Sequence, residues 1–79
     1  MEKRVKAIVK RVTLEQSNVE WWADVVYTRT DKEGEHQVVI QTDTEYFSSA
    51  LIGLPSLIDE EIKAQGVDEV LIMSTYRFN

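Results

Sequence analysis

The chain has 79 residues, a mass of 9.1 kDa and a net charge of −5, from 9 Lys and Arg against 14 Asp and Glu. That length allows one domain, residues 1–79, with a thin core; area scaling buries about 63% of the unfolded surface. With no cysteine, one histidine and no glycine-rich loop, disulfides, thiol catalysis, cysteine zinc sites and most enzyme templates are excluded.

No apolar run approaches the roughly 18 residues of a membrane span. The opening MEKRVKAIVKRV interrupts its apolar stretch with charges, unlike a signal peptide. A cytoplasmic location without membrane contact is the expectation. Charge is uneven: residues 1–12 carry a net +4 and residues 13–79 a net −9.

Residues 3–14 (KRVKAIVKRVTL) fit two periods. Val5, Ala7 and Val9 alternate with Arg4, Lys6 and Lys10, as in a strand. Val5, Ile8, Val9 and Val12 also fit a helical stripe. The β-branched content favours the strand. The phase changes between Val9 and Val12, and a β-bulge near Lys10–Arg11 returns Val12 and Leu14 to the core face.

Residues 15–18 (EQSN) predict a turn, and 19–29 (VEWWADVVYTR) the next strand. Val19, Trp21, Ala23, Val25 and Tyr27 share one face; Glu20, Trp22, Asp24, Val26 and Thr28 share the other. Folded as a hairpin, Leu14 faces Val19, Val12 faces Trp21, Val9 faces Val25, Ala7 faces Tyr27 and Lys10 faces Asp24. Residues 31–34 (DKEG) predict a tight connection in which Gly34 can take positive φ. A third strand follows at 35–42, with Val38 and Ile40 inward opposite Tyr27 and Val25, and Val39 outward opposite Val26.

The period then becomes helical. Thr42 and Glu45 have capping-box spacing, and Asp43 and Glu45 suit a positive helix start. Tyr46, Phe47, Ala50 and Leu51 follow at helical spacing before Gly53 and Pro55 interrupt. Proline removes an amide donor, so two helices are predicted, at 44–52 and 55–65, with Pro55 in the first turn of the second. Leu54, Leu57, Ile58 and Ile62 are the apolar positions, and Gly66 closes the element. Residues 67–78 predict a last strand, with Val70 and Ile72 on one face and Leu71 and Met73 on the other.

The order β-β-β-α(α)-β predicts an α+β fold: a four-stranded mixed sheet, order 3-2-1-4, with an interrupted helix packed on one face. The last strand runs parallel to the first if the helix crosses that face, and reverses if the two helices form a hairpin. This order of elements is similar to that of HicB-like antitoxin domains and of several compact phage-encoded inhibitors. No family motif accompanies the likeness, and no functional residue is carried over.

Few residues offer chemistry. His36 lies near a hairpin turn, where histidine is commonly solvated, and no nucleophile motif accompanies it. Asp59, Glu60 and Glu61 are consecutive on a helix and so point apart; they read as acids complementing its start. DKEGE at 31–35 lacks the spacing of a calcium loop. No metal or cofactor is expected, and no catalytic residue is assigned.

Arg4, Lys6 and Lys10 share the outer face with Trp22, which is a candidate single-strand nucleic-acid platform. The acidic remainder suggests the reverse, a nucleic-acid mimic that blocks a basic groove. The leading feature is the second sheet face, which holds Ile8, Trp22, Val26, Val39, Leu71 and Met73 while the helices cover only the first. Tyr76, Arg77 and Phe78 are the residues that could cover it. The expectation is a non-enzymatic protein-binding module, self-associating as a homodimer through that face. A small inhibitor or adaptor acting on a larger protein is one version of it.

Overall fold

The computed structural model describes residues 4–16, 20–43 and 47–78, and among these the side chains of all but 16, 42–43 and 47–51. Five strands and one helix follow in the order β1 (Lys6–Gln16), β2 (Glu20–Arg29), β3 (Lys32–Asp43), α1 (Phe47–Lys63), β4 (Glu69–Ile72) and β5 (Tyr76–Phe78). They form an α+β fold with a mixed sheet, β3-β2-β1-β4, in which β5 also pairs with β1. β2 runs antiparallel to both β1 and β3, and β4 and β5 run parallel to β1.

Alternation along the strands sends one set of side chains inward. Val9, Val12 and Val25 are completely buried there, beside Ala7, Leu14, Ala23, Tyr27 and Ile40. The helix covers this face with Leu54, Ile58 and Ile62, which recur every four residues and therefore form one stripe. Val5, Trp21, Val38, Leu57, Val70, Ile72 and Tyr76 pack around them. Burying one such aliphatic side chain stabilises the fold by about 1.5–3 kcal/mol, so the stripe dominates the helix's energetics.

The bulge falls where the change of phase places it. Val9 pairs with Tyr27 and Arg11 with Val26, leaving Lys10 as the extra residue. The same point divides the opposite edge: Val9 pairs with Ile72, Val12 with Tyr76, and the intervening residues leave the ladder. The single last strand expected at 67–78 is therefore two short ones.

The registers differ from expectation. Pairing of β1 and β2 continues through Glu15 to Gln16↔Trp21, so the turn does not span 15–18; Ser17, Asn18 and Val19 lie outside the described residues. Leu14 faces Ala23, Val12 faces Val25 and Ala7 faces Arg29. Lys10 has no partner across the ladder, and Asp24 sits opposite Thr13 while accepting a hydrogen bond from Gln37 Nε2. In the second hairpin the turn is Thr30–Asp31, β3 starts at Lys32, and Val38, Val39 and Ile40 face Val25, Asp24 and Ala23. Gly34 takes φ 88° inside β3, where the register shifts, rather than at the turn. Every slip is an even number of residues, so each side chain keeps its predicted face.

Two helices were expected, but α1 is a single helix with Pro55 inside it. Pro55 is exposed while its neighbour Leu54 is buried. The ring sits on the solvent side, where helix hydrogen bonds already lengthen, and the Leu54–Ile58–Ile62 stripe holds both halves against the sheet. Asp59, Glu60 and Glu61 consequently lie in the C-terminal half, where they do not complement a helix start; Asp59 pairs with Lys63 at 3.1 Å. The Thr42–Glu45 cap lies outside the described side chains. Gly66 takes φ 88° after the helix, as expected of a closing residue.

The helix end is tied to the second hairpin. Arg29 extends on the covered face and donates from Nη1 to the Gln65 carbonyl at 2.9 Å, as a cation suits a helix C-terminus. Its Nε and Nη2 donate to the two carboxylate oxygens of Asp31. That hydrogen bonding holds the Asp31 carboxyl below its ordinary range and raises Arg29. Asp68 secures the start of β1, accepting from the Val5 N–H at 2.7 Å and donating its own N–H to the Val5 carbonyl at 2.8 Å.

Candidate functional site

No described element lies against the outer face of the sheet. Register and alternation give its order, row by row. Gln41, Trp22 and Glu15 form one row; Val39, Asp24, Thr13 and Arg77 the next. Gln37, Val26 and Arg11 follow, then Glu35, Thr28, Ile8 and Leu71.

The registers place five of the six apolar residues expected on this face there, Ile8, Trp22, Val26, Val39 and Leu71, while Met73 follows β4 outside any strand. Val39 is 60% exposed, Leu71 54% and Met73 69%, while Trp22, Val26 and Ile8 are half-buried by their neighbours. They are not one block. Trp22, Val39, Val26 and Ile8 are successive diagonal neighbours, about 7–8 Å apart, and Leu71 is the direct partner of Ile8. The result is an apolar stripe crossing the sheet obliquely, with Gln, Thr and charged residues on both sides.

Tyr76 and Phe78 do not cover this face. Their partners are Val12 and Leu14, so they belong to the inner one, and the Phe78 ring meets Trp21 edge-on at 6.4 Å. Trp21 and Trp22 thus point to opposite faces, as adjacent strand residues must.

The basic ladder is partly engaged. Arg4 Nη1 lies 3.3 Å and Lys6 Nζ 3.8 Å from the carboxylate of Glu69, and Lys10 is the exposed bulge residue. Glu15, Glu20 and Asp24 surround Trp22, so its immediate electrostatic setting is acidic.

His36 differs from expectation. It shares the inner face with Val38 and Ile40, stacks at 5.5 Å on Tyr27, and its Nε2 is buried with no partner among the described residues. Its even spacing from Val38 and Ile40 carries that placement in the sequence. Sequence reasoning also missed Arg29, whose role depends on a helix end 36 residues away. Arg11 and Arg77 were missed as outer-face cations; strand parity carries the signal for both.

A cleft of about 470 Å³ at the β4 edge is lined by charged and apolar groups that include Lys6, Asp59, Lys63, Asp68 and Leu71. Among the described residues, no three His, Asp or Glu side chains gather as metal ligands, and no helix is long and apolar enough to cross a membrane. No protein-family model, curated protein or solved structure matches the chain.

Proposed function

We propose that the protein is a non-enzymatic protein-binding module that acts by pairing with a second copy of itself through the outer sheet face. The observation that carries this reading is the oblique stripe from Trp22 to Leu71, which leaves Val39 and Leu71 more than half exposed on a face the helix does not cover. Large aromatic and Met side chains on an uncovered face are typical interface anchors. Three strands of 10–12 residues and an edge of two short ones, about 4.8 Å apart, give roughly 600 Å² of flat area, and side chains raise it toward the ~800 Å² a side of a standard interface.

Nucleic-acid binding has less support. Glu69 draws on both Arg4 and Lys6, and the acids around Trp22 repel phosphate. Sedimentation velocity tests the proposal. The wild-type chain should dimerise, and Trp22→Ala should keep its fold while raising the dissociation constant about 30-fold or more. A Trp22→Ala protein that dimerises normally would remove Trp22 from the interface.

A further inference from the structure

β3 is one edge of the sheet: β2 lies on one side of it, and among the described residues no strand lies on the other. Its pairing with β2 is regular from Glu35 to Asp43, so every second residue turns its N–H and C=O away from β2. Natural edges are blunted by charge, proline, bulges or shortness. The opposite edge is split into β4 and β5, of four and three residues, and carries Glu69 and Arg77. Residues 36–42 of β3 (HQVVIQT) have none of these devices: they stay in register and include no Lys, Arg, Asp, Glu or Pro.

The pattern of this segment selects its partner. It reads alike in both directions about Val39, with Val38 and Ile40 beside it and Gln37 and Gln41 beyond them. An antiparallel copy centred on Val39 sets Val39 on Val39, Val38 on Ile40 and Gln37 on Gln41, with inner residues beside inner and outer beside outer. Centring on Val38 instead sets Gln37 on Val39 and Glu35 on Gln41, and centring on Ile40 sets Val39 on Gln41. Outside the segment Glu35 meets position 43, also an acid, so the ladder is confined to the uncharged residues. Val39, 60% exposed, is the member of the apolar stripe that lies on β3, and the stripes of the two copies meet there. α1 starts beyond the Asp43 end of β3, so the two helices begin at opposite ends of the joint.

We infer that the outer edge of β3 pairs with the β3 edge of a second copy, antiparallel and centred on Val39, about a two-fold axis perpendicular to the sheet. This goes beyond the face contact proposed above and does not depend on it, because it uses backbone groups at the edge rather than side chains on the face. The ladder is about 24 Å long and one strand wide, so the edge contact is weaker than the face and fills at higher concentration.

Hydrogen exchange followed residue by residue tests it, because a face contact leaves the edge amides in water whereas an edge contact pairs them. From dilute to concentrated wild-type protein, alternate amides of residues 36–42 should slow about tenfold or more. The same should hold in Trp22→Ala, which removes the face contact. Residue 39 meets itself on the axis, so V39K and V39E each set like charges against each other and should lose the slowing. Mixed in equal amounts they set opposite charges together, and the slowing should return. Circular dichroism checks that each variant is folded; where one is not, exchange in the wild type and in Trp22→Ala decides.

β3 amides that exchange as fast in concentrated protein as in dilute overturn the edge contact, and a dimer that Trp22→Ala still dissociates then leaves the face reading standing alone. Slowing that V39K keeps also overturns it, since the pairing is then not centred on Val39. Slowing that persists in Trp22→Ala, while wild type and variant sediment alike, upholds the edge and removes the face.

Discussion

At the residue scale, the two adjacent tryptophans carry separate roles. Trp21 packs on the core and meets Phe78 edge-on, whereas Trp22 lies on the uncovered face. Trp21 is half-buried, so Trp21→Ala is expected to cost about 2–3 kcal/mol, below the roughly 3–5 of a fully enclosed Trp. Trp22→Ala should cost the monomer less than half of that. Urea denaturation at low protein concentration measures both, and equal losses would mean that Trp22 supports the monomer fold. Arg29 and Asp31 supply a second test. The folded pKa of Asp31 is depressed, chiefly by its hydrogen bond from Arg29. Its contribution is therefore present above the ordinary value of about 3.9 and is lost as pH falls through the lower folded value. Stability should fall in that acid window, and Asp31→Asn should flatten the fall. Denaturation midpoints between about pH 6 and about pH 2 compare the two proteins; identical slopes would remove this pair from the acid response.

At the scale of elements, α1 is the one that violates its own local rule. An interior proline loses a helix hydrogen bond and crowds the preceding turn, at about 3 kcal/mol or more. The apolar stripe offsets this by anchoring Leu54 before the proline and Ile58 and Ile62 after it. Pro55→Ala is accordingly expected to stabilise the protein by about 1–2 kcal/mol, since the proline's restriction of the unfolded chain returns part of its cost. A thermal melt reads this directly, and a lower melting temperature would show that the ring itself contributes packing. The bulge at Lys10 is a second device. It realigns Val12 and Leu14 with the core, and it coincides with the break between β4 and β5. Short pieces on that edge leave less continuous backbone open to another strand.

On the scale of the whole molecule, one helix on one side of a sheet leaves much surface open. The accessible area is 5583 Å², against roughly 4,900 Å² for a typical monomer of this mass, and the dimensions are 47 × 19 × 17 Å. A second copy on the outer face would convert the two layers of helix and sheet into four, with the apolar stripe inside. Association that favours the folded state raises stability with protein concentration. The wild-type melting temperature should therefore climb across a hundredfold range of concentration, while that of Trp22→Ala stays nearly level. Calorimetry at several concentrations distinguishes the two, and a concentration-independent wild type would argue for a monomer.

The faces of the sheet are determined by the sequence alone. Alternation along Trp21 to Tyr27 and Val38 to Ile40 separates inner from outer side chains, and the change of phase between Val9 and Val12 marks the bulge. That information places Ile8, Trp22, Val26, Val39 and Leu71 on the outer face, because strand parity is local. Register is different: an even slip exchanges Val19 for Ala23 opposite Leu14 without moving any side chain to the other face, so the hydrophobic pattern cannot select it. The tertiary structure decided it: β1 and β2 pair on to Gln16↔Trp21, and the second hairpin closes at Thr30–Asp31. It also decided the fate of Pro55, since a local penalty yields to a stripe that is buried only once the sheet exists. The engagement of Arg4 and Lys6 by Glu69 and the docking of Arg29 on Gln65 likewise join residues far apart in the chain. Such contacts depend on which strands become neighbours, and local periodicity carries no record of them.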